Sequence, residues 1–155
     1  MNLLKSASLI LCMIVIAGCS SKGEKKPSEA AAPVAPKVDY AWLDEYEPKL
    51  RDALVDSRFE VERRDNVLVV TAPVDSSFNP DRPGMLLPVT LGPITRVAKL
   101  VEKDEKTAVV ILGHADSTGA DDVNRTISRE RASAVAAIFR LSGFKHDRLR
   151  IRGLG

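Results

Sequence analysis

Cysteine is scarce in this 155-residue chain, and the two that occur, Cys12 and Cys19, both lie within the first twenty residues. The rest of the sequence therefore has no disulfide, no thiolate nucleophile and no cysteine-based metal site. An excess of one charge is also lacking, because the formal net charge is only +2. No run of Lys and Arg with interleaved aromatic residues occurs, so no nucleic-acid partner is expected.

The motifs of common enzyme classes are missing as well. There is no serine nucleophile elbow, no phosphate-cradling glycine loop and no pair of carboxylates in a recognisable acid–base setting. Asp121 and Asp122 are adjacent, so they point to different sides of their backbone. His114 and Asp116 have no third candidate ligand nearby, so neither a metal nor a cofactor is expected. These absences favour a binding protein over an enzyme.

The first eighteen residues have the pattern of a secretory signal. Lys5 precedes an apolar run from Leu9 to Ile16, and small residues follow. This run is too short to span a bilayer as a mature helix, which needs about 20 apolar residues. Ile16-Ala-Gly-Cys19 resembles the bacterial lipobox, in which cleavage leaves a lipidated N-terminal cysteine. We therefore predict a lipoprotein signal peptide at residues 1–18. The alternative is a plain signal peptide cleaved after Gly18.

Residues 19–38 are predicted to form an anchor and a tether. Several acyl chains on Cys19 would hold the protein firmly in lipid. Ser20 stands where an Asp would resemble the inner-membrane retention signal, so we expect the outer membrane, with the folded part in the periplasm. The Lys-, Ala- and Pro-rich residues that follow cannot bury enough apolar surface to order themselves, which predicts a disordered tether.

The folded part begins with a predicted helix and hairpin at residues 39–73. Apolar residues recur at helical spacing over residues 40–55, with Pro48 as an interruption. Two strands, residues 59–63 and 67–71, flank a polar turn. The proline-rich residues 74–87 are interpreted as a loop.

The following residues alternate between helix and strand patterns. A helical stripe covers residues 90–101, and residues 107–113 form an apolar run that predicts a strand covered on both faces. Ser128 fits the N-cap of a helix that ends near Gly143. Residues 149–152 alternate as a half-exposed strand, and the whole pattern predicts an α/β or α+β domain.

One block of this region has the character of a binding site: Gly113-His-Ala-Asp-Ser-Thr-Gly119, then Asn124, then Ser128-Arg-Glu-Arg-Ala132. It places the Asp116 carboxylate in a turn after a buried strand, and Gly119 permits a corner with positive φ. Arg131 is expected in the first turn of the helix capped by Ser128, beside free N–H groups that favour an anion. Such a pocket suits a ligand that carries both an ammonium and a carboxylate, such as an amino acid.

The same block resembles the OmpA-like peptidoglycan-binding family, and the resemblance continues through Gly143 to Arg152-Gly-Leu-Gly155. It implies an α+β, β-α-β-α-β two-layer domain with a mixed sheet over residues 74–155. It also implies that Asp116 binds the ammonium and Arg131 a carboxylate of diaminopimelate in the peptidoglycan stem peptide.

The resemblance extends to supporting residues. Asn124 is expected to brace the loop after Asp116, and Gly113, His114 and Ala115 to offer backbone hydrogen bonds. Another contact position of the family falls in residues 74–87, where Asn79 is a candidate. Family members continue past the position of Gly155 to a final strand, so we expect a truncated domain that lacks its last strand.

The functional hypothesis is a lipid-anchored envelope protein that grips peptidoglycan noncovalently and links it to the outer membrane. A structural adaptor of a larger envelope complex, docking through residues 40–72, is the alternative. A periplasmic hydrolase of wall fragments is a third hypothesis with little support in the sequence.

Overall fold

The computed structural model describes residues 40–116 and 118–155. The predicted signal peptide, the Cys19 lipidation site and the tether lie outside the described residues. The elements, in chain order, are α1 Tyr40–Ala53, β1 Glu60–Arg64, β2 Val67–Thr71, α2 Val74–Ser77, β3 Phe78–Asn79, β4 Arg82–Leu86, α3 Pro88–Glu102, β5 Val109–Gly113, α4 Asp121–Leu141, a 3-10 turn His146–Arg148, and β6 Leu149–Gly153.

The predicted α+β class is confirmed, and β4, α3, β5, α4 and β6 follow each other in the expected β-α-β-α-β order. The strands do not join in one mixed sheet, however. The described strands form three two-stranded sheets, in which β1–β2 and β3–β4 are antiparallel and β5–β6 is parallel. The parallel pair is connected through α4, as parallel strands require a crossover.

The predicted hairpin is present with its turn at Asp65 and Asn66. Asp65 has φ +47°, a left-handed conformation that Asp and Asn tolerate better than most residues. The register runs from Glu60 opposite Thr71 to Arg64 opposite Val67.

A continuous hydrophobic core lies between the helices and the strands. α3 contributes Ile94, Val97, Ala98 and Val101, whose spacing is that of one helical face. The Phe139 and Phe144 rings meet edge to face with centroids 5.7 Å apart. The buried members of this core are Leu50, Leu54, Val61, Ile94, Val97, Ala98, Val101, Ala136, Phe139, Phe144 and Leu149. Burial of each large side chain contributes about 1.5–3 kcal/mol.

Two glycines bring β5 and β6 unusually close to α4. A Cβ atom on Gly113 would lie 1.8 Å from the Ser128 carbonyl oxygen, and one on Gly153 would lie 2.5 Å from the Arg129 nitrogen. Side chains at these positions would force the strands away from the helix. The C-terminal ends of both strands are thereby fixed against the middle of α4.

The prediction of a loop at residues 74–87 was wrong, because α2, β3 and β4 occupy this stretch. The Asn79 side-chain oxygen accepts hydrogen bonds from the backbone N–H groups of Asp81 (2.9 Å) and Arg82 (3.1 Å), which closes the turn between the two strands. Pro80 lies in this turn and Pro83 in a two-stranded sheet, where proline is tolerated.

The predicted burial of β5 on both faces was also wrong. Val110 is 59 % exposed and Leu112 is 51 % exposed, whereas Gly113 is buried. β6 alternates as predicted, with Leu149 buried and Arg150 exposed. Among the described residues, no helix is both long enough and apolar enough to cross a bilayer.

Candidate ligand-binding site

The helix that carries the site, α4, begins eight residues earlier than the sequence suggested. Its N-cap is Ala120 and its first turn contains Asp121 and Asp122, which are favourable near the positive end of the helix dipole. Ser128 is therefore not a cap, and the prediction that it is one was wrong. It is a fully buried residue inside the helix. Its hydroxyl donates to the Arg125 carbonyl and accepts from the Gly155 N–H, both at 3.0 Å.

The prediction that Arg131 lies in the first turn of this helix was therefore also wrong. Arg131 follows Asp121 by ten residues, beyond the first four N–H groups that a helix leaves free. The orientation of its guanidinium has a different cause. Nε donates to the Pro83 carbonyl (3.0 Å) and Nη1 to the His114 carbonyl (2.8 Å), and the Phe78 ring lies 5.5 Å away. Three of the five guanidinium N–H bonds remain available for an anion.

Asp116 follows β5 and is exposed. Its carboxylate has no hydrogen-bond or ion-pair partner within residues 40–116 and 118–155. The carboxylate is therefore open to a cationic ligand group.

Asp116 and Arg131 both line a cavity of about 430 Å³. The other lining residues come from the segment before α3, the turn after β5 and the first turns of α4: Val74, Asp75, Phe78, Asn79, Pro80, Pro83, Ala115, Thr118, Gly119, Val123, Asn124 and Ile127. The lining therefore includes carboxylates, Asp75 and Asp116, as well as the Arg131 guanidinium. The described residues hold no group of three or more His, Cys, Asp or Glu side chains placed for a metal ion.

Asn124 contacts the loop after Asp116. Gly119 has φ +113°, and a Cβ on it would lie 3.7 Å from the Asn124 amide oxygen. The Asn124 amide also donates to the Thr118 carbonyl at 3.5 Å, a long and weak bond. These contacts link the loop to the start of α4.

The backbone after β5 is already engaged within the chain. The Gly113 carbonyl accepts from Leu154 N–H (3.0 Å), and the Ala115 N–H donates to the Gly155 carbonyl (3.1 Å). The His114 carbonyl binds Arg131, while its side chain is exposed. These three bonds position the loop, and the prediction that Gly113, His114 and Ala115 contact a ligand stays a prediction.

Asp75 and Phe78 are among the cavity residues that the sequence analysis missed. Asp75, on α2, adds a second exposed carboxylate, and the buried Phe78 lies beneath the Arg131 guanidinium. Both were assigned to a featureless loop. A single Phe in a stretch otherwise rich in Ser, Asp and Pro was the available signal, because such a residue is usually an anchor into the core. Asn79 also lines the cavity, with its oxygen engaged in the β3–β4 turn.

The model of the OmpA family matches residues 88–155, which include Asp116, Asn124 and Arg131. This stretch of the chain is therefore similar to the OmpA family.

Two curated relatives of this chain are named as lipoproteins. The chain is 32 % identical over 114 residues to "Probable lipoprotein YiaD" of Escherichia coli (strain K12), which covers 74 % of this chain and 52 % of that protein. It is 33 % identical over 70 residues to "Outer-membrane lipoprotein YfiB" of Pseudomonas aeruginosa, covering 45 % and 42 %. These names support the prediction of an OmpA-like lipoprotein at the outer membrane. The chain spans about half the length of these two relatives.

A further curated match concerns one segment of a much larger protein. The chain is 42 % identical over 62 residues to "Photosystem I P700 chlorophyll a apoprotein A2" of Gloeobacter violaceus, a match that covers 40 % of this chain and 7 % of that protein.

Among solved structures, a putative MotB-like protein from Desulfovibrio vulgaris has a TM-score of 0.63 at 18 % identity, covering 74 % of this chain and 76 % of that one. At this identity the likeness concerns the fold alone.

Proposed function

We propose that this protein is an OmpA-family member that binds peptidoglycan noncovalently by recognising diaminopimelate, and that lipid on Cys19 anchors it in the outer membrane. The observation that supports this most strongly is the cavity shared by Asp116 and Arg131. The family resemblance assigns to these two positions the ligand's ammonium and carboxylate.

The anion side of the proposed site depends on Arg131. Its guanidinium is already oriented by two carbonyls, so little side-chain entropy is lost when a carboxylate binds. A carboxylate can then receive a bidentate pair of charge-assisted hydrogen bonds. Such bonds contribute about 1.5–3 kcal/mol each.

The cation side depends on Asp116, with Asp75 in support. Both carboxylates line the same cavity and both are exposed, so an ammonium group can approach without displacing an ion pair. An amino-acid headgroup matches this arrangement in both charges. A simple anion or a simple cation would satisfy only half of it.

The anchor makes a modest affinity sufficient. A tether between the lipid on Cys19 and the domain keeps the binding site close to the wall, which raises its effective concentration. The proposed role is therefore a mechanical link between the outer membrane and the wall, formed by reversible contacts.

A pull-down with insoluble peptidoglycan tests this proposal. We expect Asp116→Asn and Arg131→Gln each to weaken binding by about 10- to 100-fold, because each removes a charge-assisted contact. Arg140→Gln is a matched control, since Arg140 is exposed on the same helix. Equal retention of the wild type and the Asp116/Arg131 double variant would contradict the proposal. Cross-linking to one protein that survives wall digestion would instead favour the adaptor hypothesis.

A further inference from the structure

A second, larger concave surface lies on the other flank of α4 and is lined by arginines. This groove, of about 1060 Å³, contains Arg82 of β4, Arg125 and Arg129 of α4, and Arg152 of β6. We call these four residues and the space between them the basic groove. Glu130 is the only acidic residue in its described lining. The groove therefore has a formal excess of three positive charges, from four guanidinium groups and one carboxylate.

The four guanidinium groups are not neutralised within the protein. All four residues are exposed. None of their side chains forms a hydrogen bond or ion pair with another residue in the part of the chain that the structure describes. Some other arginines do have acidic partners, as Arg51 has Glu47 and Arg64 has Glu62. The absence of partners in the basic groove leaves its charge available to a ligand.

Close packing at two glycines makes the groove a fixed feature. On one wall, a Cβ on Gly84 would lie 2.9 Å from the Glu130 Cβ, so β4 lies directly against α4. On the other wall, Gly153 of β6 lies against the Arg129 backbone. These contacts hold Arg82 and Arg152 on either side of the α4 arginines.

The basic groove adjoins the diaminopimelate site. Pro83 lines both cavities, and its carbonyl is the acceptor for Arg131 Nε. A polymer bound in the Asp116/Arg131 cavity therefore has a short path over Pro83 into the groove. This continuity favours the same polymer as occupant over a separate ligand.

We propose that the basic groove binds further carboxylate groups of the peptidoglycan stem peptides, next to the one held by Arg131. This inference rests on the proposed function. Guanidinium groups suit carboxylates because they present a planar fork of donors. The groove would make the protein select acidic, carboxylate-rich wall over wall whose carboxyl groups are amidated.

The test compares a groove variant with a variant of equal charge. In the groove variant all four arginines become glutamine: Arg82→Gln, Arg125→Gln, Arg129→Gln and Arg152→Gln. The control removes four exposed cations elsewhere: Lys99→Gln, Lys103→Gln, Lys106→Gln and Arg140→Gln. Both full chains are titrated with insoluble peptidoglycan at low and high salt, and with free diaminopimelic acid.

We expect the groove variant to bind the wall about tenfold more weakly at low salt, from four exposed charge contacts of modest strength each. The loss should shrink to less than about twofold in 0.5 M salt because of screening. The control should lose less than about twofold throughout. Free diaminopimelic acid fills only the Asp116/Arg131 cavity, so the groove variant should bind it like the wild type. Amidation of the wall carboxyl groups should remove the difference between groove variant and wild type.

Failure of this inference is distinguishable from failure of the proposed function. Wall binding that depends on Asp116 and Arg131 but is equal in the groove and control variants overturns the inference alone. Capture of phosphatidylglycerol vesicles by the wild type but not by the groove variant, with unchanged wall binding, overturns it in favour of lipid headgroups. Should the fourfold variant fold poorly by circular dichroism, the Arg82→Gln/Arg129→Gln variant is used, with an expected loss of about threefold. No loss in that variant also overturns the inference.

Discussion

At the scale of single residues, glycine at some positions lets the backbone of a strand lie directly against a helix, where a larger residue would not fit. Gly113 and Gly92 differ sharply in this respect. A Cβ on Gly113 would overlap the Ser128 carbonyl at 1.8 Å, whereas a Cβ on Gly92, at an exposed position of α3, would have the flexible end of Arg96 at 3.5 Å as its nearest contact apart from its chain neighbours. The same substitution should therefore have very different effects at the two positions.

We predict that Gly113→Ala lowers the free energy of unfolding by about 2–3 kcal/mol or more, because β5 must move away from α4. Gly92→Ala should change it by less than about 1 kcal/mol, because the helix preference of alanine is opposed by contact between its Cβ and the ring of Pro93. Urea unfolding followed by circular dichroism measures both. A mild effect at Gly113 would mean that the strand and helix are not in the contact described.

Arg131 provides a second residue-scale prediction. Lysine retains the charge but has no Nε donor for Pro83 and no planar fork. Arg131→Lys should leave the thermal midpoint within about 2 °C, since the side chain is partly exposed. It should nevertheless weaken wall binding by about tenfold. Arg140→Lys is the control, and wild-type binding by Arg131→Lys would show that charge alone suffices.

At the scale of elements, the Asp104 carboxylate links α1 to the turn after α3. The Asp104 side chain accepts hydrogen bonds from the Lys106 backbone (2.9 Å), Thr107 (2.9 Å) and Trp42 of α1 (3.0 Å). These bonds, led by the Lys106 N–H, hold the pKa of Asp104 below its ordinary value. Trp42 also stacks on Tyr46, with ring centroids 4.8 Å apart.

We predict that Asp104→Asn lowers the free energy of unfolding at pH 7 by about 1–2 kcal/mol. A carboxylate with a lowered folded pKa contributes stability above its unfolded pKa and loses it as the pH falls through the folded value. The difference between wild type and Asp104→Asn should therefore be full above about pH 5 and shrink on acidification below about pH 4. Asp147→Asn, at an exposed carboxylate, is the control. A difference that does not change with pH would exclude the Asp104 network as its cause.

Elements with strong apolar periodicity could be predicted from the sequence, and those without it could not. The stripe of Ile94, Val97 and Val101 predicted α3, whereas the first two turns of α4 are mostly polar and exposed. Ser128 therefore stood out as the first plausible cap, although it is bonded to Gly155 inside the helix. β3 and β4 depend on the Asn79 turn and on tertiary contacts, and their prolines concealed them.

The candidate site also has features that could be predicted from the sequence and features that could not. Asp116 and Arg131 were paired by the spacing of a motif, and the structure places both in one cavity. The position of Arg131 was attributed to a helix terminus, but Pro83 and His114 determine it. These two carbonyls belong to residues 48 and 17 positions away from Arg131 in the chain. No local sequence pattern predicts such distant contacts.

At the scale of the whole molecule, the proposed function requires two independent attachments. The lipid on Cys19 is predicted to hold the membrane, and the Asp116/Arg131 cavity is proposed to hold the wall. Neither replaces the other, because one acts by burial of acyl chains in lipid and the other by charge. Substitutions at one attachment should therefore affect association with the membrane, and substitutions at the other should affect binding to peptidoglycan.

We predict that Cys19→Ser releases the protein from the outer membrane without weakening its binding to isolated peptidoglycan. The Asp116→Asn/Arg131→Gln variant should show the reverse, remaining with the membrane and losing the wall. Membrane fractionation and peptidoglycan pull-down of the same cell lysates measure both. In intact cells, Cys19→Ser should also reduce wall-bound protein, because the effective concentration supplied by the tether, on the order of millimolar, is lost. Membrane retention of Cys19→Ser would contradict the anchor, and full wall occupancy of Cys19→Ser in cells would show that the domain binds tightly enough without it.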